Sequence, residues 1–261
     1  MTRETQSKLL GEFYAEKKNI LKLKGEDYAN EDVLSNFKTA GANIGISAEQ
    51  QCLSLIATKV ARLGNLLSRK TPKELIEHKN ITCLSVDLGL DSDIAKVEDF
   101  IKNTFKKVDV LLHNAGALLL KPFEQISSSE FENIYKVNVF AVASLTRICI
   151  PYLQKGSHVV TISSMGGIQG SMKFAGLAAY SSSKGAVITL SELLAEEYKE
   201  KGISFNVLAL GSVNTEMLQE AFPGYEAPLS ASEMANYIHD FALTGNKYFN
   251  GKVLQVSSTT P

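Results

Sequence analysis

Short apolar runs alternate with helical segments along most of this chain, and this alternation constrains the fold more than any other feature. The runs are Leu66 to Ser68, Ile81 to Val86, Val108 to His113, His158 to Ser163, Phe205 to Leu210 and a last one at Lys252 to Ser257. Apolar residues at helical spacing stand between them, at Ser92 to Phe105, Ser128 to Leu153 and Ser183 to Lys201. Strands joined through helices of this length form right-handed βαβ units. We therefore predict an α/β fold, a doubly wound parallel sheet of about seven strands in three layers, α/β/α.

The length suits one large domain. The 261 residues are 44% hydrophobic and 21% charged, which is ordinary for a globular α/β protein. Residues 1–36 are polar and rich in Lys and Glu, so we predict an amino-terminal extension there and a single domain over residues 37–261. Within that domain, Thr39 to Ser47 has the composition of a glycine-bearing turn and Ala48 to Leu63 that of a helix.

Charge and composition disfavour several classes of protein. A net charge of −1 without a dense basic run argues against nucleic acid as a partner. No apolar run of membrane-spanning length and no hydrophobic leader are evident, so we predict a cytoplasmic protein without a membrane partner. Cys52, Cys83 and Cys149 are far apart, which favours reduced thiols over disulfides. The four histidines lack ligand spacing, and we predict no metal site.

The stretch from His158 to Lys184 carries the clearest signs of chemistry. It begins with closely spaced β-branched residues, which are typical of a buried parallel strand, and continues into a glycine-rich loop. Ser163 and Ser164 therefore stand at the carboxyl end of a strand. In an open α/β sheet, ligands bind at that end.

Tyr180 and Lys184 follow at the start of a helical segment, four positions apart. Residues at this spacing share a helix face, so the Lys184 ammonium can lie near the Tyr180 phenol. A neighbouring cation favours a phenolate, which would let the tyrosine exchange a proton with a substrate oxygen held by a serine hydroxyl. The spacing alone is weak evidence for such a site. It occurs twice more, in Tyr14 with Lys18 and in Tyr248 with Lys252.

One polar residue interrupts the apolar stripe of the helix that begins at Ser128. Ser127 and Glu130 predict a capping box, and Asn138 falls on the stripe behind it. A buried amide without hydrogen-bond partners costs about 1 kcal/mol or more. Asn138 is therefore either a structural amide that ties the helix to a neighbouring loop or a functional residue.

Four motifs in sequence order resemble the short-chain dehydrogenase/reductase family from Ser68 to the carboxyl terminus. They are Asn114-Ala115-Gly116 after a strand, Asn138 in the next helix, Ser163-Ser164 after the following strand, and Tyr180 with Lys184. The resemblance implies a Rossmann-type fold and an NADP(H)- or NAD(H)-dependent oxidoreductase acting on a carbonyl or secondary alcohol.

By that resemblance, Tyr180 would be the general acid, and Lys184 would lower its pKa and bind the nicotinamide ribose. Ser164 would hold the substrate oxygen, and Asn138 would support a water that relays protons. The cofactor would contact Gly41, Gly45, Ile46, Ser68, Arg69, Asp87, Leu88, Asn114, Ala115, Gly116, Tyr180, Lys184, Val213 and Thr215.

The segment after Thr215 resembles a substrate lid, with Met217, Phe222 and Tyr225 as an apolar cleft wall or as a self-packed surface loop. Ala231 to Thr244 with the last strand implies a homodimer or homotetramer.

The end of the run at Leu66 to Ser68 bears on the choice of cofactor. An acidic residue there would bind a ribose 2′-hydroxyl, whereas Ser68-Arg69-Lys70 offers a hydroxyl and two cations to a 2′-phosphate. We therefore predict NADP(H) as the cofactor and a small carbonyl or alcohol as the substrate. A solvated basic turn is the alternative.

The first 65 residues match the family only in outline. Gly41 and Gly45 stand at the first two glycine positions of the pyrophosphate turn, but Ser47 stands at the third, and no clear apolar strand precedes them. This part is either a divergent cofactor half or a segment altered by a change of reading frame. A second function follows from the same departure, that of a regulatory or scaffold subunit that keeps the fold but binds cofactor weakly. Residues Gln169 to Phe174 are an extra length of loop that would widen or cover the cleft.

Overall fold

The described part of the chain is built around a seven-stranded sheet. The computed structural model describes residues 54–58, 63–68 and 81–258, and the strand order is β3-β2-β1-β4-β5-β6-β7. The strands are β1 Ser54–Thr58, β2 Leu63–Ser68, β3 Ile81–Ser85, β4 Val108–His113, β5 Leu153–Ser164, β6 Ser204–Leu210 and β7 Lys252–Val256. The pairs β2 with β3, β4 with β5, β5 with β6 and β6 with β7 are parallel. The predicted α/β fold with a mainly parallel sheet is confirmed.

Strand β1 departs from the prediction in two ways. The sequence predicted a helix over Ala48 to Leu63, but Ser54–Thr58 is a strand, and it pairs antiparallel with both β2 and β4. Only residues 59–62 connect β1 to β2. A parallel pair needs a crossover of about a dozen residues or more, whereas an antiparallel pair needs only a short loop. The short connection therefore accounts for the direction of β1.

Helices cover both faces of the sheet. They are α1 Asp91–Thr104, α2 Ser128–Tyr135, α3 Ala141–Cys149, α4 Ala178–Glu197, α5 Glu216–Ala221 and α6 Ala231–Thr244. One core cluster packs side chains of α1, α3 and α4 against Leu111, Val159 and Phe205 of the sheet. The other packs α6 against Val160 and Leu208. Because Val159 and Val160 are adjacent and point to opposite faces, the three layers follow from the alternation along β5.

The predicted helix from Ser128 to Leu153 exists, but it is not regular. The predicted capping box at Ser127 and Glu130 is present, and the helix ends where β5 begins, at Leu153. Between α2 and α3, residues Lys136–Phe140 form a π-helical turn, which places an extra residue in the helix. Such turns occur frequently at functional sites. Asn138 is in the middle of this one.

The same helical run is apolar enough to be compared with a membrane span. Ser128–Tyr152 passes that test by length and composition, with a mean hydropathy of 1.2, which corrects the expectation that no run would. Leu145 and Cys149 of this run are buried in the core beside the sheet. A core helix passes the same test, and the lack of a membrane partner stays a prediction.

Helix α4 begins at Ala178, five residues before the predicted start at Ser183. Tyr180 therefore lies in its first turn, at the carboxyl edge of β5. The predicted extension over residues 1–36 lies outside the described residues, as do the predicted glycine turn, Thr39 to Ser47, and residues 48–53 of the predicted helix.

Candidate active site

A cavity of about 350 Å³ lies at the carboxyl ends of β3, β4, β5 and β6. Ligand sites of open α/β sheets occur at this edge. The cavity extends from Val86 and Asp87 after β3 to Met234 at the start of α6. Most of the predicted site residues line it, namely Asp87, Leu88, Asn114, Ala115, Gly116, Ser164, Tyr180, Lys184, Val213 and Thr215.

The Tyr180 and Lys184 side chains lie together on one face of α4. The Lys184 ammonium is 5.8 Å from the centre of the Tyr180 ring. That separation is within the range in which a cation is attracted to an aromatic ring. The helical spacing therefore brings the cation to the phenol-bearing side chain, as the sequence predicted.

Lys184 is almost completely buried, with 5% of its surface exposed. Its Nζ donates a hydrogen bond of 3.0 Å to the carbonyl of Ile162, which is the one acceptor that Lys184 Nζ has within the described part of the chain. Burial lowers the pKa of Lys184 from 10.5 to about 8, so the side chain is a cation at neutral pH. An ammonium has three N–H donors. In the described part of the chain two of them have no acceptor, which leaves them for a ligand in the cavity, and ribose hydroxyls are acceptors of the right kind.

The two serines after β5 have different roles. Ser163 is buried, and its hydroxyl donates to the carbonyl of Lys184 at 2.8 Å, which ties the strand to α4. Ser164 lines the cavity, and its Oγ accepts a hydrogen bond from the Gly166 amide at 3.2 Å. Because that bond uses an acceptor site of Ser164, its O–H can still donate to a substrate oxygen.

Asn138 lies behind the cavity wall and not on it. Its Oδ1 accepts from the Ala117 amide at 2.8 Å, and its Nδ2 donates to the Ala117 carbonyl and to Ser183 Oγ, both at 2.9 Å. Ser183 in turn donates to the carbonyl of Tyr180 at 2.7 Å. Both amide hydrogens of Asn138 are thus committed to protein atoms. The structure places Asn138 where it ties the helix to a neighbouring loop, and it links that loop to the first turn of α4.

Two glycines mark close approaches around Lys184. A Cβ at Gly116 would lie 3.3 Å from Lys184 Nζ. A Cβ at Gly167 would lie 2.7 Å from the backbone carbon of Lys184 and 2.8 Å from the Gly185 nitrogen. A side chain at Gly167 would therefore displace α4, since real Cβ atoms do not approach backbone this closely. Glycine at both positions therefore leaves the space that Lys184 and its backbone occupy.

Asp87 and Thr215 stand at opposite ends of the lining. The Asp87 carboxylate accepts a hydrogen bond from the Gly89 amide at 2.9 Å, which fixes the turn after β3. Thr215 caps α5, its Oγ1 accepting from the Leu218 amide at 3.1 Å. Ser68 is the last residue of β2. The other predicted cofactor contacts, Gly41, Gly45, Ile46 and Arg69, lie outside the described residues.

Several lining residues were not found from the sequence. The loop after β5 contributes Met165, Phe174 and Leu177. Phe174 belongs to the extra length of loop that the sequence predicted would widen or cover the cleft, whereas Met165 and Leu177 were not predicted. Met217 and Phe222 line the cavity as predicted, whereas Tyr225 does not. The Tyr225 hydroxyl lies instead 3.2 Å from Ser212 Oγ. Loop residues follow no hydrophobic periodicity, so no pattern in the sequence could have identified which of them line the cavity.

Ionisable groups away from the cavity have structural roles. His113 and His158 are buried, and burial lowers the pKa of each from 6.5 to about 4, so both are neutral. Burial raises the pKa of Cys149 to about 12, which makes it an unreactive thiol. Among residues 54–58, 63–68 and 81–258, no group of three or more potential metal ligands comes together.

Comparisons with known proteins point to one family. The family model described as short chain dehydrogenase matches residues 39–226. The chain is 28% identical over 191 residues to NADPH-dependent aldehyde reductase 1, chloroplastic, of Arabidopsis thaliana, covering 68% of this chain and 65% of that protein. It is also 28% identical over 188 residues to glucose and ribitol dehydrogenase of Daucus carota, covering 67% of this chain and 64% of that one. The match thus spans less than two thirds of either relative.

A solved structure extends the comparison to the fold. ElxO with NADP bound superposes with a TM-score of 0.63 and 25% sequence identity, covering 74% of this chain and 86% of that one.

Proposed function

Because the chain belongs to the short-chain dehydrogenase family, we propose that it is an NADP(H)-dependent oxidoreductase that interconverts a carbonyl compound and a secondary or primary alcohol. The observation that carries the proposal is the cavity in which Ser164, Tyr180 and Lys184 meet. The named relatives are dehydrogenases and reductases, which favours this function over a regulatory or scaffold subunit.

In the reduction, the carbonyl carbon would gain a hydride and the carbonyl oxygen would gain a proton, so that C=O becomes CH–OH. When bound, the nicotinamide supplies the hydride. The Tyr180 phenol donates the proton, and the Ser164 hydroxyl donates a hydrogen bond to the same oxygen. In the reverse direction Tyr180 takes the proton back.

Lys184 has two roles in this proposal. Its uncommitted N–H donors hold the ribose of the cofactor, and its charge stabilises the phenolate that Tyr180 becomes when it loses the proton. Both roles need the ammonium form, which prevails at neutral pH because the pKa of Lys184 is about 8. Asn138 is a positioning residue, since its contacts reach Tyr180 only through Ser183.

Support for NADP(H) over NAD(H) comes from two sources. Ser68 ends β2, and Arg69 and Lys70 follow it in the chain, which offers a hydroxyl and two cations to a 2′-phosphate. One relative is named as NADPH-dependent, and ElxO is described with NADP bound. Asp87 and Leu88 would flank the adenine, and Val213 and Thr215 would contact the nicotinamide end. The cytoplasmic location and the homodimer or homotetramer stay predictions.

Substitution of the proposed acid tests the mechanism. We expect Tyr180→Phe to lower kcat by about 100-fold or more, since general acid catalysis contributes about 10²–10⁴-fold. NADPH affinity should change little, because the ring remains in place beside Lys184. The measurements are NADPH oxidation with a panel of aldehydes and ketones, and NADPH binding by fluorescence. A variant that keeps most of its activity would remove Tyr180 from the mechanism.

A further inference from the structure

The substrate end of the cavity is formed by two loops. The sheet order places the residues after β5 and β6 away from Asp87, which follows β3 at the edge of the sheet. Asp87, Leu88 and Asn114, which are assigned to the cofactor, lie toward β3, so the loop after β5 and the α5 segment are left for the substrate. Their lining side chains are Met165, Phe174, Leu177, Met217, Leu218 and Phe222. All six are apolar.

Two aromatic rings join these loops across the cavity. The centres of the Phe174 and Phe222 rings are 6.3 Å apart, with an interplanar angle of 62°, which is an edge-to-face contact. Phe174 comes from the loop between β5 and α4, and Phe222 follows the last residue of α5. Phe174 is 55% exposed, so the pair stands at the border between the cavity and solvent.

A backbone hydrogen bond closes the base of the loop that carries Phe222, and another anchors the loop that carries Phe174 near that ring. The Lys121 amide donates to the Gly176 carbonyl at 2.9 Å. Gly176 has a φ of +87°, and a Cβ there would lie 2.8 Å from a methyl carbon of Leu120. On the other side, the Asn214 amide donates to the Leu229 carbonyl at 2.8 Å. These backbone contacts hold the two loops that bring the rings together.

The polar side chains that line this end are uncharged hydroxyls, among them Ser164, Ser181 and Ser212. Among the described residues, the charged side chains that line the cavity are Asp87 and Lys184, and both belong to the cofactor side. Ser212 is paired with the Tyr225 hydroxyl, and Thr215 caps α5. A polyol or a carboxylate placed here would leave buried polar groups without partners, which disfavours its binding.

We propose that Phe174 and Phe222 form an aromatic gate that selects uncharged substrates with an apolar substituent on the carbonyl or carbinol carbon. The substituent lies against Met165, Leu177 and Met217, and the two rings close over it, while the oxygen faces Ser164 and Tyr180. This rests on the proposed function, and it names the substrate class of that same site.

The test compares matched substrates with NADPH. Hexanal and benzaldehyde carry apolar substituents, propanal carries a short one, and glucose and pyruvate represent polyols and carboxylates. We expect wild-type kcat/KM to be highest for the first two. Phe222→Ala and Phe174→Ala should each lower it for hexanal by about tenfold or more, and by much less for propanal. Phe123→Ala is the control, because Phe123 is 68% exposed and does not line the cavity.

A binding measurement separates this inference from the proposed function. Thermal shifts with hexanol, in the presence of NADPH, report substrate-end binding without turnover, and Phe222→Ala should abolish the shift while Phe123→Ala keeps it. A kcat/KM that is highest for glucose or pyruvate, or a kcat/KM for hexanal that is equal in Phe222→Ala and Phe123→Ala, would overturn the gate. Neither result would contradict the proposed oxidoreductase function. Absence of NADPH-dependent turnover with every substrate would overturn the oxidoreductase, and the hexanol shifts would still decide whether the gate binds apolar ligands.

Discussion

Replacement of Asn138 by alanine should destabilise the protein far more than the loss of one polar side chain usually does. Asn138 is 2% exposed and makes three hydrogen bonds, two with the backbone of Ala117 and one with Ser183. Each hydrogen bond is worth about 1 kcal/mol net, and buried groups left without a partner cost about 1–3 kcal/mol. We therefore expect Asn138→Ala to lower the free energy of unfolding by about 3 kcal/mol.

Urea unfolding of the wild type and two variants measures this loss. Asn103→Ala is the matched control, since Asn103 is exposed on α1 and its Nδ2 donates a single bond of 2.8 Å to the Asp99 carbonyl. That control should change the free energy of unfolding by no more than about 0.5 kcal/mol. Asn138→Asp keeps an acceptor for the Ala117 amide but turns a carboxylate oxygen toward the Ala117 carbonyl, so it should be no milder than Asn138→Ala at neutral pH.

Asn138→Ala should also change the kinetics of the reaction. Ser183 links Asn138 to the Tyr180 carbonyl, so loss of the amide should displace the first turn of α4. We expect kcat to fall with little change in NADPH affinity. A loss of stability below about 1 kcal/mol, or one equal to that of Asn103→Ala, would refute the role given to the network.

Two further predictions concern stability. In the folded protein, the pKa values of His113 and His158 are lowered from 6.5 to about 4. Between pH 6.5 and pH 4 the unfolded chain therefore binds more protons than the folded one, and the free energy of unfolding falls as the pH falls through this range. Each histidine should cost about 2 kcal/mol between pH 7 and pH 5, and urea unfolding that gives equal stabilities at the two pH values would contradict this. Gly167→Ala should lower the melting temperature and the activity together, because its Cβ would lie 2.7 Å from the Lys184 backbone; differential scanning fluorimetry showing an unchanged melting temperature would count against that close approach.

Spacing and context were sufficient to predict which candidate site residues come together in the fold. Tyr180 and Lys184 share a face because residues four apart do so in any α-helix, and the carboxyl end of β5 delivers Ser164 to the same cavity. Asn138 stood out as a polar residue on an apolar stripe, and the structure shows the partners that such a residue needs. The π-helical turn around Asn138 could not be predicted, because five residues are too few to change the helical spacing of apolar residues visibly.

Strand β1 and the substrate loops were beyond sequence reasoning for different reasons. Ser54–Thr58 lies in a short apolar run, and such a run fits a helix or a strand equally well by periodicity. Its direction depends on the short connection over residues 59–62, and the sequence had assigned these residues to a helix. The contact between Phe174 and Phe222 joins positions 48 residues apart in loops without a regular pattern, and only the tertiary structure brings them together.

Direct titration with NADPH tests the proposed function most sharply, because the predicted pyrophosphate turn departs from the family pattern: Gly41 and Gly45 match its first two glycines, but Ser47 stands at the third. Isothermal calorimetry should show saturable binding of NADPH to the wild type, weaker binding of NADH, and a marked loss of NADPH affinity in Lys184→Ala. Absence of NADPH binding at millimolar concentration would contradict the assignment of the cavity to a nicotinamide cofactor.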